Sequence, residues 1–210
     1  MDILRLPVGA LQANCYLAYD ENKEAAVIDP GAEEKRILSA AQERGLRVAA
    51  ILLTHAHADH ILAARELREA TGAPVVISAA DAPALEDSDK NLIQIFLPGA
   101  EYSISADRSL ADGEEFAVGS LRFRLLLTPG HTVGSACYLC GDTLFSGDTL
   151  FCGGVGRTDL PGGSYEALER SLQRLAALPG NYTVLPGHGE ETTLDAERAS
   201  NPYMNNGYFD

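Results

Sequence analysis

The chain has 210 residues, 46% of them hydrophobic, enough for one large domain or two small ones to bury a core. Its formal net charge of -14 argues against a nucleic-acid partner, because phosphate backbones are bound by basic fields. No apolar run reaches the roughly 18 residues of a membrane span, and MDILRLPVGALQANCYL lacks a basic start leading to an apolar stretch and cleavage site, so a cytoplasmic protein without a membrane partner is expected.

ILRLPV, NCYLAYD and EAAVIDPG read as strands, with Asp20, Glu21 and Asn22 turning between the last two. AEEKRILSAAQERGL carries Ile37, Leu38 and Ala41 at helical spacing, ends at Gly45 and feeds the apolar strand VAAILLT. That strand runs into HAHADH, and ILAARELREATGA then predicts a helix closed by Gly72. PVVIS is a further strand, whereas residues 79–110 carry little signal beyond a helical stretch around Lys90 to Phe96. EFAVG, LRFRLLLT, SACYLC and TLFSGD predict a second run of strands, SYEALERSLQRLAAL a helix and YTVLPGHG a final strand.

No low-complexity linker interrupts this order, so residues 1–210 are expected to form a single α/β domain of two similar halves. Two sheets packed face to face with helices outside would bury the pattern. Cys15, Cys137, Cys140 and Cys152 make no disulfide scaffold in a chain of this length. Cys137 and Cys140 have CxxC spacing, but within a strand, positions three apart face opposite sides, which predicts two packed thiols.

The chemistry concentrates in THAHADH, which holds three of the five histidines. The other two, His131 in TPGHT and His188 in PGHGE, also follow strands, as does Asp148 in FSGDT. If those strand ends share one edge, His55, His57, Asp59, His60, His131, Asp148 and His188 converge. Imidazole and carboxylate ligands in that number suit two divalent ions, zinc first, with iron and manganese compatible. His55 and His57 can clamp one ion while Asp59 and His60 reach a second, and Asp148 can bridge. Two ions about 3.5 to 4 Å apart would generate a hydroxide nucleophile at neutral pH. Taken alone, Asp59 also fits a helix N-cap.

THAHADH, TPGHT, FSGDTLF and LPGHG, in that order, resemble the metallo-β-lactamase fold superfamily, and within it the short, single-domain glyoxalase-II-like hydrolases. The resemblance implies a four-layer αβ/βα sandwich with the site at one edge of the sheets. It implies that His55, His57 and His131 hold one ion, that Asp59, His60 and His188 hold the other, and that Asp148 bridges. The implied reaction is hydrolysis of a thioester, S-D-lactoylglutathione to D-lactate and glutathione, by a bridging hydroxide, with Asp59, His60 and Asp148 counted as catalytic.

The resemblance also implies that Arg157 meets a substrate carboxylate, the alternative being a surface pair with Asp159, and it places Cys152 in the same loop, at the pocket or as a small buried hydrophobe. No counterpart of the helical C-terminal domain by which full-length glyoxalase II grips glutathione is expected with LDAERASNPYMNNGYFD, an expectation under which glutathione is held by loops alone or another thioester or ester is the substrate. Persulfide dioxygenases share a GRTD segment and use a single iron, for which His131, Asp148 and His57 or His55 could serve. A scaffold that binds metal without activity is the non-enzymatic alternative. The expected partner is a small-molecule thioester, on a monomer or homodimer, and the tail aromatics Tyr203, Tyr208 and Phe209 remain to be placed.

Overall fold

In a computed structural model, which describes residues 1–99 and 102–205, the first half builds one sheet. β1 (Asp2–Val8), β2 (Ala13–Tyr19) and β3 (Glu24–Ile28) form an antiparallel meander, and β4 (Arg47–Leu52), β5 (Val75–Ser78) and β6 (Arg108–Leu110) extend it in parallel. Parallel neighbours need crossovers, which here are α1 (Glu34–Glu43), α2 (Ala58–Ile61) with α3 (Ala64–Thr71), and a segment containing α4 (Ile93–Phe96).

The second half begins with the strands β7 (Glu115–Val118), β8 (Leu121–Leu127), β9 (Ala136–Cys140) and β10 (Thr143–Gly147). A small hairpin of β11 (Leu150–Phe151) and β12 (Gly154–Val155) follows, then α5 (Tyr165–Ala176), β13 (Thr183–Pro186), β14 (Thr192–Thr193) and α6 (Leu194–Ser200). Its sheet has the order β14-β13-β10-β9-β8-β7. Ser164 and Thr193 cap α5 and α6 by accepting from the amides of Ala167 and Ala196, as hydroxyl side chains do at helix starts.

Three apolar clusters define the layers. Leu52, Val76, Phe123, Tyr138 and Phe145 pack between the sheets. Ile37 and Leu67 seal α1 and α3 onto the first sheet, and Leu168, Leu172 and Leu175 seal α5 onto the second. The result is the expected four-layer αβ/βα sandwich. Strand β9 shows the predicted alternation: Cys140 faces the inter-sheet cluster and Cys137 the α5 cluster.

The helix expected after HAHADH is broken in two. The amide of Ala63 donates to the carbonyl of Pro30 at 2.9 Å instead of continuing the helical ladder, so Asp59 and His60 occupy a single turn of their own. β6, β14, α6 and the β11–β12 hairpin went unread in the sequence; strands of two or three residues carry too little periodicity to be seen. Tyr203 packs against the α5 cluster, while Tyr208 and Phe209 lie outside the described residues.

Strand direction brings the loops together. β10 and β13 run parallel with Gly147 opposite Pro186, which sets the following residues, Asp148 and His188, side by side. β8 is antiparallel to β9 and β9 to β10, so β8 delivers His131 to the same edge. The sheets are tied there by the amide of Ala136 donating to the carbonyl of Thr54 and by the Tyr138 hydroxyl donating to that of Leu53.

Candidate metal centre

The loop after β4 is shaped by two buried carboxylates. Asp29, directly after β3, accepts from the Thr54 amide at 2.7 Å and the Thr54 hydroxyl at 2.6 Å. Asp81, after β5, accepts from the amides of Ala56 and Gly134 and from the Thr132 hydroxyl. Burial is the leading influence on Asp81 and raises its pKa, against the donors that favour its charge. Neither residue was singled out in the sequence, although both follow parallel strands at the edge that delivers the histidines.

All seven predicted ligands meet there. Ligand atoms of His55, His57 and His131 lie within 4.8 Å of one another, and so do those of Asp59, His60 and His188. Asp148 stands between the triads, one oxygen 3.4 Å from Nε2 of His60 and the other 3.5 Å from Nε2 of His131 and 3.7 Å from Nε2 of His188. Asp59 is not a cap: its carboxylate lies 3.2 Å from Nε2 of His188 and 3.7 Å from that of His60.

Three of the five imidazoles are oriented through the nitrogen that faces away from the cluster. Nδ1 of His55 is 3.0 Å from the Thr54 hydroxyl, Nδ1 of His60 is 3.1 Å from Asp29, and Nδ1 of His131 is 2.7 Å from the carbonyl of Arg157. That arrangement fixes the ring and turns Nε2 inward, as around ligated metals. His57 presents the opposite nitrogen, its Nδ1 lying 2.9 Å from Nε2 of His131. Nε2 of His55 and His60 and Oδ1 of Asp148 are fully buried without a hydrogen-bond partner, a costly state that a divalent cation would relieve. The donor set therefore fits two ions of the zinc, iron or manganese type.

Charge divides the two triads. Burial, with the neighbouring imidazoles adding to it, pushes His57 down to about 3 and His55 well below its ordinary value, so both offer neutral lone pairs. Burial also opposes the charge on His60, but Asp148 and then Asp59 outweigh it and raise the ring to about 10. Burial likewise opposes the charge on Asp59, whose carboxyl His60 and the His188 hydrogen bond nevertheless hold below the usual range. The second triad is thus an ion cluster in which protons stand where a cation would bind.

The first strands reach across to hold the His188 loop. Buried Asn14 donates from Nδ2 to the carbonyls of Pro186 at 3.0 Å and Gly189 at 2.9 Å, and from its amide to that of Gly187 at 2.7 Å. The Tyr16 hydroxyl also donates to the Pro186 carbonyl. Gly187 itself leaves no room for a side chain, since a Cβ there would run into Oδ1 of Asp148 and press on His60.

The centre opens into a cleft of about 690 Å³ whose lining includes His57, Asp59, His131, Asp148, His188 and Arg157. The Arg157 side chain is exposed and paired in two-point fashion with Asp159 at 2.6 and 2.8 Å, which is the surface-pair alternative, while its backbone carbonyl holds His131. Cys152 is exposed at the turn between β11 and β12 and is absent from the cleft lining, so it is neither a pocket residue nor a buried one. The hairpin turns its neighbour Phe151 toward the cleft instead.

Comparison with known proteins agrees with this architecture. Residues 8–188 match the family model described as the metallo-beta-lactamase superfamily. The chain is 40% identical over 205 residues to a probable metallo-hydrolase, YqgX, of Bacillus subtilis, covering 96% of each chain. It is 37% identical over 209 residues to hydroxyacylglutathione hydrolase GloC of Haemophilus influenzae, covering 98% of this chain and 99% of that one. The crystal structure of TTHA1623 in a di-iron-bound form superposes with a TM-score of 0.85 at 39% identity, over 95% of this chain and 99% of the other. With its two triads meeting at one carboxylate on the shared edge of two sheets, the chain belongs to the metallo-β-lactamase superfamily.

Proposed function

We propose that the protein is a metal-dependent thioester hydrolase of the glyoxalase II type, using His55, His57 and His131 for one ion, Asp59, His60 and His188 for a second, and Asp148 between them. The observation that carries this reading is the contact of Asp148 with both triads, at 3.4 Å to His60 and 3.5 Å to His131. Two divalent ions held there would supply a hydroxide at neutral pH and would polarise an acyl carbonyl. Hydroxide adds to the acyl carbon, the C–S bond breaks, and the proton of the new carboxylic acid passes to the departing thiolate, giving a carboxylate and a thiol. Asp59 lines the cleft beside Asp148, and its carboxylate would hold the second ion with His60 and His188. His60, between both carboxylates and Asp29, keeps them oriented.

Zinc is the first metal of this reading and iron the next. S-D-lactoylglutathione is the first substrate to offer, given the similarity to GloC. Protein loaded with zinc, iron or manganese should release free thiol from that compound or from simpler thioesters. Silence with every metal and every thioester would sink the reading. One iron per chain, together with oxygen uptake on glutathione persulfide, would replace it with a dioxygenase.

A further inference from the structure

Around the ligand cluster the cleft is apolar. Leu92, Ile95 and Phe96 reach it from the α4 segment, Phe151 and Val155 from the β11–β12 hairpin, and Leu160 from the loop beyond. Leu11, in the turn between β1 and β2, adds to the lining and is 54% exposed, and Ile95 is 68% exposed. Two large aliphatic side chains held in water beside a functional centre gain by being covered with another apolar group.

The charges of the cleft point the same way. Among the described lining residues Arg157 is the one arginine or lysine, and Asp159 already matches it through two hydrogen bonds, while His188, Asp59 and Asp148 are assigned above to the ions. An anionic thiol carrier, such as glutathione with its two carboxylates, meets no unmatched cation among these lining residues. The carrier is therefore left at the rim, and the apolar lining is left to the acyl group. A lactoyl group, with three carbons and a hydroxyl, covers little of a cleft of about 690 Å³.

Building on the thioester reading above, we infer that the acyl subsite selects extended aliphatic or aromatic acyl groups, and that thioesters of such acids are the preferred substrate class. Leu11, Ile95 and Phe151 are its specificity-determining residues. Each methylene buried there should improve recognition about threefold to fourfold, the increment expected for moving a CH2 group out of water.

Binding and turnover can be read separately. Non-hydrolysable S-methyl, S-butyl, S-hexyl and S-octyl glutathione thioethers, titrated calorimetrically into the zinc-loaded protein, should show Kd falling by at least tenfold from methyl to octyl. Acetyl, lactoyl, butyryl, hexanoyl and octanoyl thioesters of glutathione should show kcat/KM rising along the same series. Ile95→Ser and Leu11→Ser, both at exposed positions where folding is little at stake, should flatten both slopes. A Kd independent of alkyl length, or lactoyl as the best acyl group, would overturn the inference. A steep alkyl series with no thioester cleaved would instead overturn the hydrolase reading and leave the apolar subsite standing.

Discussion

Nδ1 of His60 lies 3.1 Å from Oδ2 of Asp29, and the same carboxyl group holds the amide and hydroxyl of Thr54, whose hydroxyl in turn meets His55. One buried acid thus orients a ligand in each triad. Asp29→Asn keeps the volume but cannot accept from His60 and Thr54 as the carboxylate does. Affinity for the second ion should fall about 10-fold to 100-fold, the usual effect of losing an orienting partner. Chelator competition would measure it; two unaltered ion affinities would refute the role.

Protons and cations compete at the second triad. Burial works against a charged His60, but Asp148 and Asp59 prevail and raise it to about 10, so the ring of the metal-free protein is charged at neutral pH. Metal uptake should release about one proton per chain or more, visible as a buffer-dependent heat in calorimetry. A raised histidine stabilises the metal-free fold fully below its unfolded value of about 6.5, and that contribution fades as pH climbs toward 10. The gain in Tm on adding metal should therefore grow from pH 6 to pH 9, as metal affinity rises and the metal-free fold weakens. A constant gain across that range would contradict this account.

Gly187→Ala tests the crowding around Asp148. The added methyl would collide with Oδ1 of Asp148 and crowd His60, displacing the group shared by both triads. A shift of about 1 Å near reacting groups costs on the order of 100-fold in rate. Turnover should fall by about that factor while circular dichroism stays native; wild-type turnover would mean that the shared carboxylate tolerates displacement.

Asn14→Ala removes the two Nδ2 hydrogen bonds that grip the His188 loop, leaving the Pro186 carbonyl to the Tyr16 hydroxyl and that of Gly189 to Arg5. Stability should drop by about 1 to 3 kcal/mol. Ion affinity should weaken at the triad containing His188, with the His55, His57 and His131 triad spared. Stepwise cobalt titration followed by absorption would separate the two; equal weakening of both steps would show that Asn14 supports the fold in general.

The seven ligands were legible because all five histidines of the chain, with Asp59 and Asp148, fall in loops that follow strands. What the strand-end pattern did not reveal were the residues that hold them. Asp29 sits in a DPG turn, where an aspartate is ordinary, and its partners Thr54 and His60 are 25 and 31 positions away. Asn14 lies inside a strand and acts across the sandwich on Pro186, 172 positions on. The split of the helix at Ala63 arises from the carbonyl of Pro30, a tertiary contact with no local signature. Arg157 was picked for its side chain, yet what touches His131 is its backbone carbonyl, which any residue type carries.

The triads draw unequally on the two halves of the chain: His55 and His57 are completed by His131, and Asp59 and His60 by His188. Neither half owns an intact site. Each ion would act as a rivet through both sheets, adding to the free energy that holds the halves together in proportion to the logarithm of its free concentration over Kd. Metal supply would then govern how long the sandwich survives as well as what it can do, and a starved cell would lose the protein along with its activity.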